Sequence, residues 1–392
     1  MLRNVLGSKG EKVIFEFNEE QKLLQSMVRS FARNELAPIA AQVDETGEYP
    51  AEAVRKISEL GLMGLTIPEE YGGGGKGVTE FCIAIEEMCR VSAAIDGYFR
   101  VSLSLGIVPI RMFGTENQKQ QYLPPHAKGE KMACFGLTET AAGSDPAGMQ
   151  TTANRTAGGY LINGSKLFIT IGAEAEIIVV FATVDKSLRG KGVTAFIVDK
   201  SNPGFSVGRL ERKMGFHGLS AAELLFEDCF VAEDMRLGEE GRGLRIALEV
   251  LDESRVTVGA EATGIAQGAF DAALAYSKER HQFGQPISSF QAIQWMLADM
   301  AIQIEAARLL TYSAAYKEDH GLPFVKEAAM AKVFASEMAG MVCSKAMQIH
   351  GGYGYTKEYP IERFFRDAKL TEIYEGTSEI QRMTIARHLL RD

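Results

Sequence analysis

Apolar residues recur at helical spacing through the first third of the chain. Phe17, Leu23, Leu24, Met27, Val28 and Phe31 share one face, and Asn18 with Gln21 has the spacing of a capping box, so a helix starts there. Pro50 opens a second helix that ends at Gly61. Helical patterns follow over 78–90 and 91–105, and Thr115 with Gln118 caps another. Between them, Gly72, Gly74 and Gly77 satisfy G-x-G-x-x-G. No strand precedes this run and no βαβ unit surrounds it, so it is expected to be a flexible loop rather than a dinucleotide-binding turn.

Near Lys131 the period changes. Runs at 132–137, 160–162, 167–169, 177–184, 193–198, 205–207 and 223–231 are rich in β-branched and aromatic residues. Turn chemistry separates them, and Asn163-Gly164 is a hairpin signal. From Gly241 the chain is helical again. One helix is expected over 243–279, and a second is capped by Ser288 and Gln291. A third, opened by Pro323, carries the alanines Ala328, Ala329, Ala331, Ala335 and Ala339 that favour close packing in a bundle. Ser378 and Gln381 have capping-box spacing ahead of a last helix with Ile380, Met383, Ile385, Leu389 and Leu390. The expected organisation is α+β multidomain: helical over 1–130, β over 131–240 and helical over 241–392.

Composition narrows the function. The 392 residues are 46% hydrophobic and 24% charged, ordinary for a globular protein. A net charge of −9 argues against nucleic acid as a partner, since that footprint is basic. No apolar run approaches the ~18 residues of a membrane span. Residues 1–12 carry Arg3, Lys9 and Lys12 without an apolar core, so no secretory signal is expected. Cys82, Cys89, Cys134, Cys229 and Cys343 are scattered, which suits reduced thiols in a cytoplasmic protein and neither a metal site nor a disulfide frame.

Four stretches carry candidate chemistry. Residues 135–145 leave a strand for a Gly/Ser turn whose N–H groups and hydroxyls can cradle a phosphate; a plain loop explains them equally. Arg280 and Phe283 end a helix before Gly284 and Pro286, where Arg280 can neutralise a pyrophosphate or simply complement the helix dipole. Gln348 to Gly352 form a helix end whose glycines permit close backbone approach. Glu375 lies between Tyr374 and Gly376, just ahead of a helix start, on backbone that can be aimed.

Together these motifs resemble the acyl-CoA dehydrogenase family along the whole chain. They stand here as Leu137-Thr138-Glu139 through Gly143-Ser144-Asp145, Arg280-His281-Gln282-Phe283-Gly284, Gln348-Ile349-His350-Gly351-Gly352 and Tyr374-Glu375-Gly376-Thr377-Ser378. The resemblance implies a central β-barrel between an N-terminal helical domain and a C-terminal four-helix bundle, one FAD per subunit and a homotetramer. It places Phe135, Leu137 and Thr138 along the flavin, Gly143 and Ser144 at the pyrophosphate and CoA, and Phe168 and Thr170 against the ring. It gives Arg280, Phe283, Gln291, Gln348 and Gly352 to a neighbouring subunit's FAD, and Thr377 and Glu379 to the chain's own. Arg255 falls by the CoA, and Tyr374 and Gly376 by the substrate. Two departures are Phe168, where many relatives have Trp, and Thr140-Ala141 in place of Pro-Gly.

Glu375 matches the family's catalytic base, which takes the α-proton of an acyl-CoA thioester while the β-hydrogen passes to the flavin. Other branches carry the base on the helix holding Asp252-Glu253-Ser254-Arg255; Ser254 precedes the Arg here, leaving Glu253 a weak rival. The implied acceptor is an electron-transfer flavoprotein. Asp96 admits two readings: pairing with Arg100 one turn on, or facing the acyl pocket, which suits an alicyclic or short-chain substrate. An acid there argues against a dicarboxylic substrate, which calls for a cation. Rival functions are an acyl-CoA oxidase or enoyl-CoA reductase of the same fold, or a catalytically silent scaffold subunit.

Overall fold

The computed structural model describes residues 16–390, so the expectation for residues 1–12 lies outside it. Seven α-helices precede the first strand among the described residues: α1 (Glu19–Phe31), α2 (Ala37–Thr46), α3 (Ala51–Glu59), α4 (Val78–Cys89), α5 (Ala93–Val101), α6 (Val108–Phe113) and α7 (Glu116–Ala127). Both capping boxes expected among these N-terminal helices form. The Asn18 side chain accepts the Gln21 N–H while the Gln21 side chain accepts the Asn18 N–H, and Thr115 and Gln118 repeat the exchange for α7.

The glycine run is pinned rather than flexible. The N–H groups of Gly74, Gly75 and Lys76 donate to the carbonyls of Gly64, Ile67 and Leu65. Just beyond it, the Asp319 carboxylate accepts the Val78 and Thr79 N–H groups at 2.6 and 3.0 Å, which caps α4 from a distant part of the chain. A second expectation also changes. Ala93–Phe113 is long and apolar enough to cross a membrane, with mean hydropathy 1.3, yet it is wholly buried inside the protein. Asp96 and Arg100 break a plain apolar run there without lowering the average enough to hide it.

Eight strands follow: β1 (Ala133–Gly136), β2 (Thr152–Thr156), β3 (Gly159–Thr170), β4 (Ile177–Thr183), β5 (Val193–Asp199), β6 (Phe205–Leu210), β7 (Ala221–Ala232) and β8 (Arg236–Leu237). The barrel expected here takes the form of one continuous sheet in the order β6-β7-β3-β2-β4-β5-β8, with β1 parallel to β4. The Asn163-Gly164 hairpin does not exist. Those residues lie inside β3, where its register against β7 shifts between Ile162 and Gly164. Gly164 adopts φ 144°, and a Cβ on it would lie 2.7 Å from the Thr151 Cα, so glycine here makes a bulge and a close crossing.

The C-terminal helices are α8 (Gly243–Glu279), α9 (Gln291–Asp319), α10 (Val325–His350), α11 (Ile361–Thr371) and α12 (Ser378–Leu389). α8 packs against α4, α9, α10 and α11, and is buried continuously from Glu253 to Ala266. Alanines 328, 331, 335 and 339 are buried on α10, as close packing requires. Two caps differ from expectation. Phe290, not Ser288, precedes α9 without a side-chain cap, and Thr377, one residue before Ser378, caps α12 by accepting the Ile380 N–H.

Candidate active site

Glu375 sits in the link between α11 and α12, in a conformation that most residues avoid. Its φ is 54° and that of Gly376 is 96°, two consecutive left-handed residues. For a non-glycine residue this costs of order 1 kcal/mol or more, so the surroundings must enforce it. They do so through the carbonyls. Gln381 Nε2 donates to the carbonyls of Glu375 and Gly376 at 3.3 and 2.9 Å, and Lys332 Nζ of α10 donates to Gly376 O at 2.8 Å. Gln381 thereby clamps the link instead of closing a capping box. A Cβ on Gly376 would approach Gln381 Nε2 to 2.7 Å, so the clamp needs glycine. Burial pushes the Lys332 ammonium down to about 8 despite the carboxylate of Glu375.

The Glu375 side chain, 5% exposed, is held at both oxygens. Oε1 accepts from Arg100 Nη1 at 2.8 Å, and Oε2 accepts from the Ser254 hydroxyl of α8. Arg100 Nη2 also donates to the Tyr374 hydroxyl at 2.8 Å, and that hydroxyl in turn donates to Glu261. Behind this web lie Asp96 and Cys89, which meet Glu261 within 4.8 Å. Sequence spacing gave no hint of that cluster. Both Asp96 oxygens are buried without a hydrogen-bond partner among the described residues. Burial pushes the Asp96 carboxyl up to about 7 and that of Glu261 up to about 8, with Arg100 opposing both shifts. Burial also works against the Arg100 charge, but Glu261 and Glu375 beside it prevail and keep it protonated.

Glu375 opens onto a cavity of about 190 Å³ built by all three parts of the chain. Val101 and Leu105 come from the N-terminal helices, Phe135, Leu137, Thr138, Gly143, Ser144, Phe168 and Thr170 from the sheet, and Arg255, Tyr374 and Gly376 from the C-terminal part. The Gly143-Ser144 turn is fixed from behind. Glu139 accepts the Thr151 N–H at 3.0 Å and the buried Lys166 Nζ at 2.7 Å. The Thr140-Ala141 tip is closed by reciprocal backbone bonds of 3.1 Å between Glu139 and Ala142, so the turn stays tight without Pro-Gly.

Family models for the N-terminal, middle and C-terminal domains of acyl-CoA dehydrogenase match residues 18–130, 134–229 and 241–390. The chain belongs to the acyl-CoA dehydrogenase family. It is 48% identical over 377 residues to the short-chain-specific acyl-CoA dehydrogenase of Clostridium acetobutylicum, covering 96% of this chain and all of that one. It is similar to the butyryl-CoA dehydrogenase structure from Megasphaera elsdenii, at 44% identity and TM-score 0.95, over 96% of this chain and all of that one. A structure described as the electron transferring flavoprotein of Acidaminococcus fermentans matches at 48% identity and TM-score 0.95, over 97% of this chain and all of its own.

Acyl-CoA dehydrogenases are FAD-dependent oxidoreductases, and the cavity residues of this one fit the cofactor. Phe168 is 59% exposed into the cavity at φ 58°, an aromatic wall held in place by strained backbone. The hydroxyls of Thr138, Ser144 and Thr170 line the same space, and no atom lies within 4 Å of where a Gly143 Cβ would be. A flat ring and a phosphate group need this combination of aromatic face, hydroxyls and open backbone.

Other expected site residues of this acyl-CoA dehydrogenase lie elsewhere. Arg280, Phe283, Gln291, Gln348 and Gly352 are exposed and do not line the cavity, and Phe283 is 92% exposed. The two motifs nevertheless meet: Arg280 lies 5.6 Å over the Tyr353 ring, and Tyr276 stacks on His350. Thr377 caps α12 and Glu379 points to solvent in its first turn. Asp96 does not line the cavity and does not pair with Arg100, which is engaged by Glu375 and Glu261. Glu253 is removed as a rival base because Arg111 grips it at 2.7 and 2.5 Å away from the cavity. Sequence reasoning missed Glu261, Lys332 and the roles of Arg100 and Ser254. The available signal was charge on otherwise buried, small-residue helix faces.

Proposed function

We propose that this acyl-CoA dehydrogenase oxidises a short-chain acyl-CoA thioester between Cα and Cβ, with Glu375 as the base and an electron-transfer flavoprotein as the acceptor. The supporting observation is Glu375 itself, a carboxylate on enforced left-handed backbone, clamped at its carbonyl and facing a cavity shared with the flavin-fitting turn. Bound FAD supplies the electron acceptor for the β-hydrogen. The residues of the chain do the rest. Glu375 takes the α-proton, and Ser254 keeps its second oxygen in place. The Glu375 backbone N–H has no acceptor among the described residues and is available to the thioester carbonyl, where it would stabilise developing enolate charge. Arg255, also in the cavity wall, suits the CoA phosphates.

An alicyclic substrate depended on Asp96 facing the acyl group, and Asp96 lies outside the cavity wall, so the short-chain reading is preferred. The Clostridium and Megasphaera relatives support it, and the Acidaminococcus structure supports the acceptor. The exposed Arg280, Phe283, Gln291, Gln348 and Gly352 support a homotetramer in which they meet a neighbour's FAD. Light scattering on the holoenzyme tests this, and a monomeric mass would end it. For the base, Glu375→Gln is expected to keep bound FAD and to slow bleaching by butyryl-CoA by on the order of 10²–10⁴-fold. Near wild-type bleaching would show that the base is another group.

A further inference from the structure

Lys332 is a buried cation that the proposed reaction leaves without a task. It lies on α10 among the buried alanines 328, 329, 331 and 335, is 0% exposed, and makes no ion pair among the described residues. Burial works against its charge. Of the groups around it, Glu375 supports the charge most, Arg255 opposes it, and Glu372 and Glu261 add less. Glu372 is itself taken by Lys369 at 2.7 Å, and Glu261 by the Tyr374 hydroxyl. A buried charge without a paired anion is costly, and an apolar side chain of the same length would carry no such penalty. Stability alone does not explain a lysine here.

The hydrogen bond it makes does explain it. Lys332 Nζ donates to Gly376 O at 2.8 Å and Gln381 Nε2 donates to the same oxygen at 2.9 Å, so both lone pairs of that carbonyl are taken. Gly376 is the residue beside the base, and a glycine populates both signs of φ readily, so this is the joint of the link with the most freedom to lose. Held at φ 96°, it follows Glu375 at φ 54°, and the pair sets where the Glu375 carboxylate and N–H point. Gln381 is the weaker half of the clamp. Its bond to Glu375 O is long, at 3.3 Å, and its Oε1 has no partner among the described residues to keep the amide in place. The Lys332 bond is charge-assisted, and such bonds are roughly twice as strong as neutral ones.

We propose that Lys332 is a positioning residue for the base: its ammonium locks the Gly376 carbonyl and so aims the carboxylate and N–H of Glu375 into the cavity. This rests on the reading of Glu375 as the base and adds no chemical step. Lys332 does not line the cavity, so it acts through Gly376 and not on the substrate. The consequence is a separation of two properties. Removing the ammonium costs rate, because the base loses its aim, and does not cost stability, because a buried unpaired charge is removed with it.

The test compares the FAD-loaded wild type with Lys332→Met, which keeps the length and removes the ammonium, and with Lys332→Gln, which keeps a shorter polar head. Three quantities are read: melting temperature with FAD content, Kd of the redox-inert thioether S-butyl-CoA by calorimetry, and the rate constant of flavin bleaching by saturating butyryl-CoA in stopped flow. The thioether has no thioester carbonyl, so its binding does not depend on the Glu375 N–H. Lys332→Met is expected to bleach about tenfold or more slowly, the scale on which a small misplacement of reacting groups acts, with S-butyl-CoA Kd within about twofold of wild type. Its FAD content should be intact and its melting temperature equal to or above that of the wild type. Bleaching within about twofold of wild type overturns the proposal, since a base that keeps its aim was not aimed by Lys332. So does slower bleaching that comes with a lower melting temperature or lost FAD, which is the mark of a merely structural lysine. If Lys332→Met does not hold FAD, Lys332→Gln is judged by the same three readings, and if neither variant folds the proposal falls. Glu375→Gln is run alongside. Its near wild-type bleaching would remove the base assignment and this proposal with it, whereas slow bleaching by Glu375→Gln and normal bleaching by Lys332→Met would remove this proposal alone.

Discussion

Asp96 shows how much a single buried carboxyl can shape the behaviour of the whole protein. Its oxygens have no hydrogen-bond partner among the described residues, and burial raises it from 3.8 to about 7. The folded state therefore favours the protonated acid. A raised folded value means stabilisation that is fully present below pH 3.8 and is lost as pH rises through about 7. Over that window the loss approaches about 1.4 kcal/mol per pH unit. Asp96→Asn, neutral at every pH, is expected to flatten this slope in urea titrations run from pH 4 to 8. Parallel stability–pH curves for variant and wild type would show that Asp96 does not titrate in this range. In the sequence Asp96 was visible as an anomaly, an acid in an apolar segment, but its direction was not. One turn separates it from Arg100, and helical spacing alone made them a pair. Three-dimensional packing gave Arg100 to Glu375, 275 positions later, a contact that no local rule can reveal.

At the scale of elements, legibility followed how local the cause was. α8 was readable to its end residues because Gly243 and Glu279 bound an uninterrupted helical pattern. The boxes at Asn18 and Thr115 were readable because cap and partner lie three residues apart. Ser288 and Ser378 had the same spacing and failed. Thr377 took the cap of α12, while Gln381 was drawn off by the strained carbonyls of the Glu375 link, a competing demand absent from the pattern. Asn163-Gly164 failed similarly. Its dipeptide suits a tight turn, but the crossing of Thr151 called for a glycine within a strand. The site was legible as four motifs. The network joining Glu375 to Arg100, Tyr374 and Glu261 was not, since it draws together the α11–α12 link, α5 and α8, far apart in the chain.

At the scale of the molecule, the cavity exists only where the N-terminal helices, the sheet and the C-terminal helices converge, so its shape depends on how those parts are joined. One join is the glycine run at residues 72–77. Backbone bonds tie it to the turn before it, and Asp319, at the end of α9, caps the helix after it. From composition this would be the natural place for trypsin to open the chain, at the Lys76–Gly77 bond. Proteases require several residues to detach and extend, and here detachment would break three backbone bonds and uncap α4. Limited digestion of the native protein should therefore spare Lys76, and early tryptic fragments beginning at Gly77 in a mass spectrum would contradict it. A stretch whose composition suggests a hinge would then prove to be a rivet.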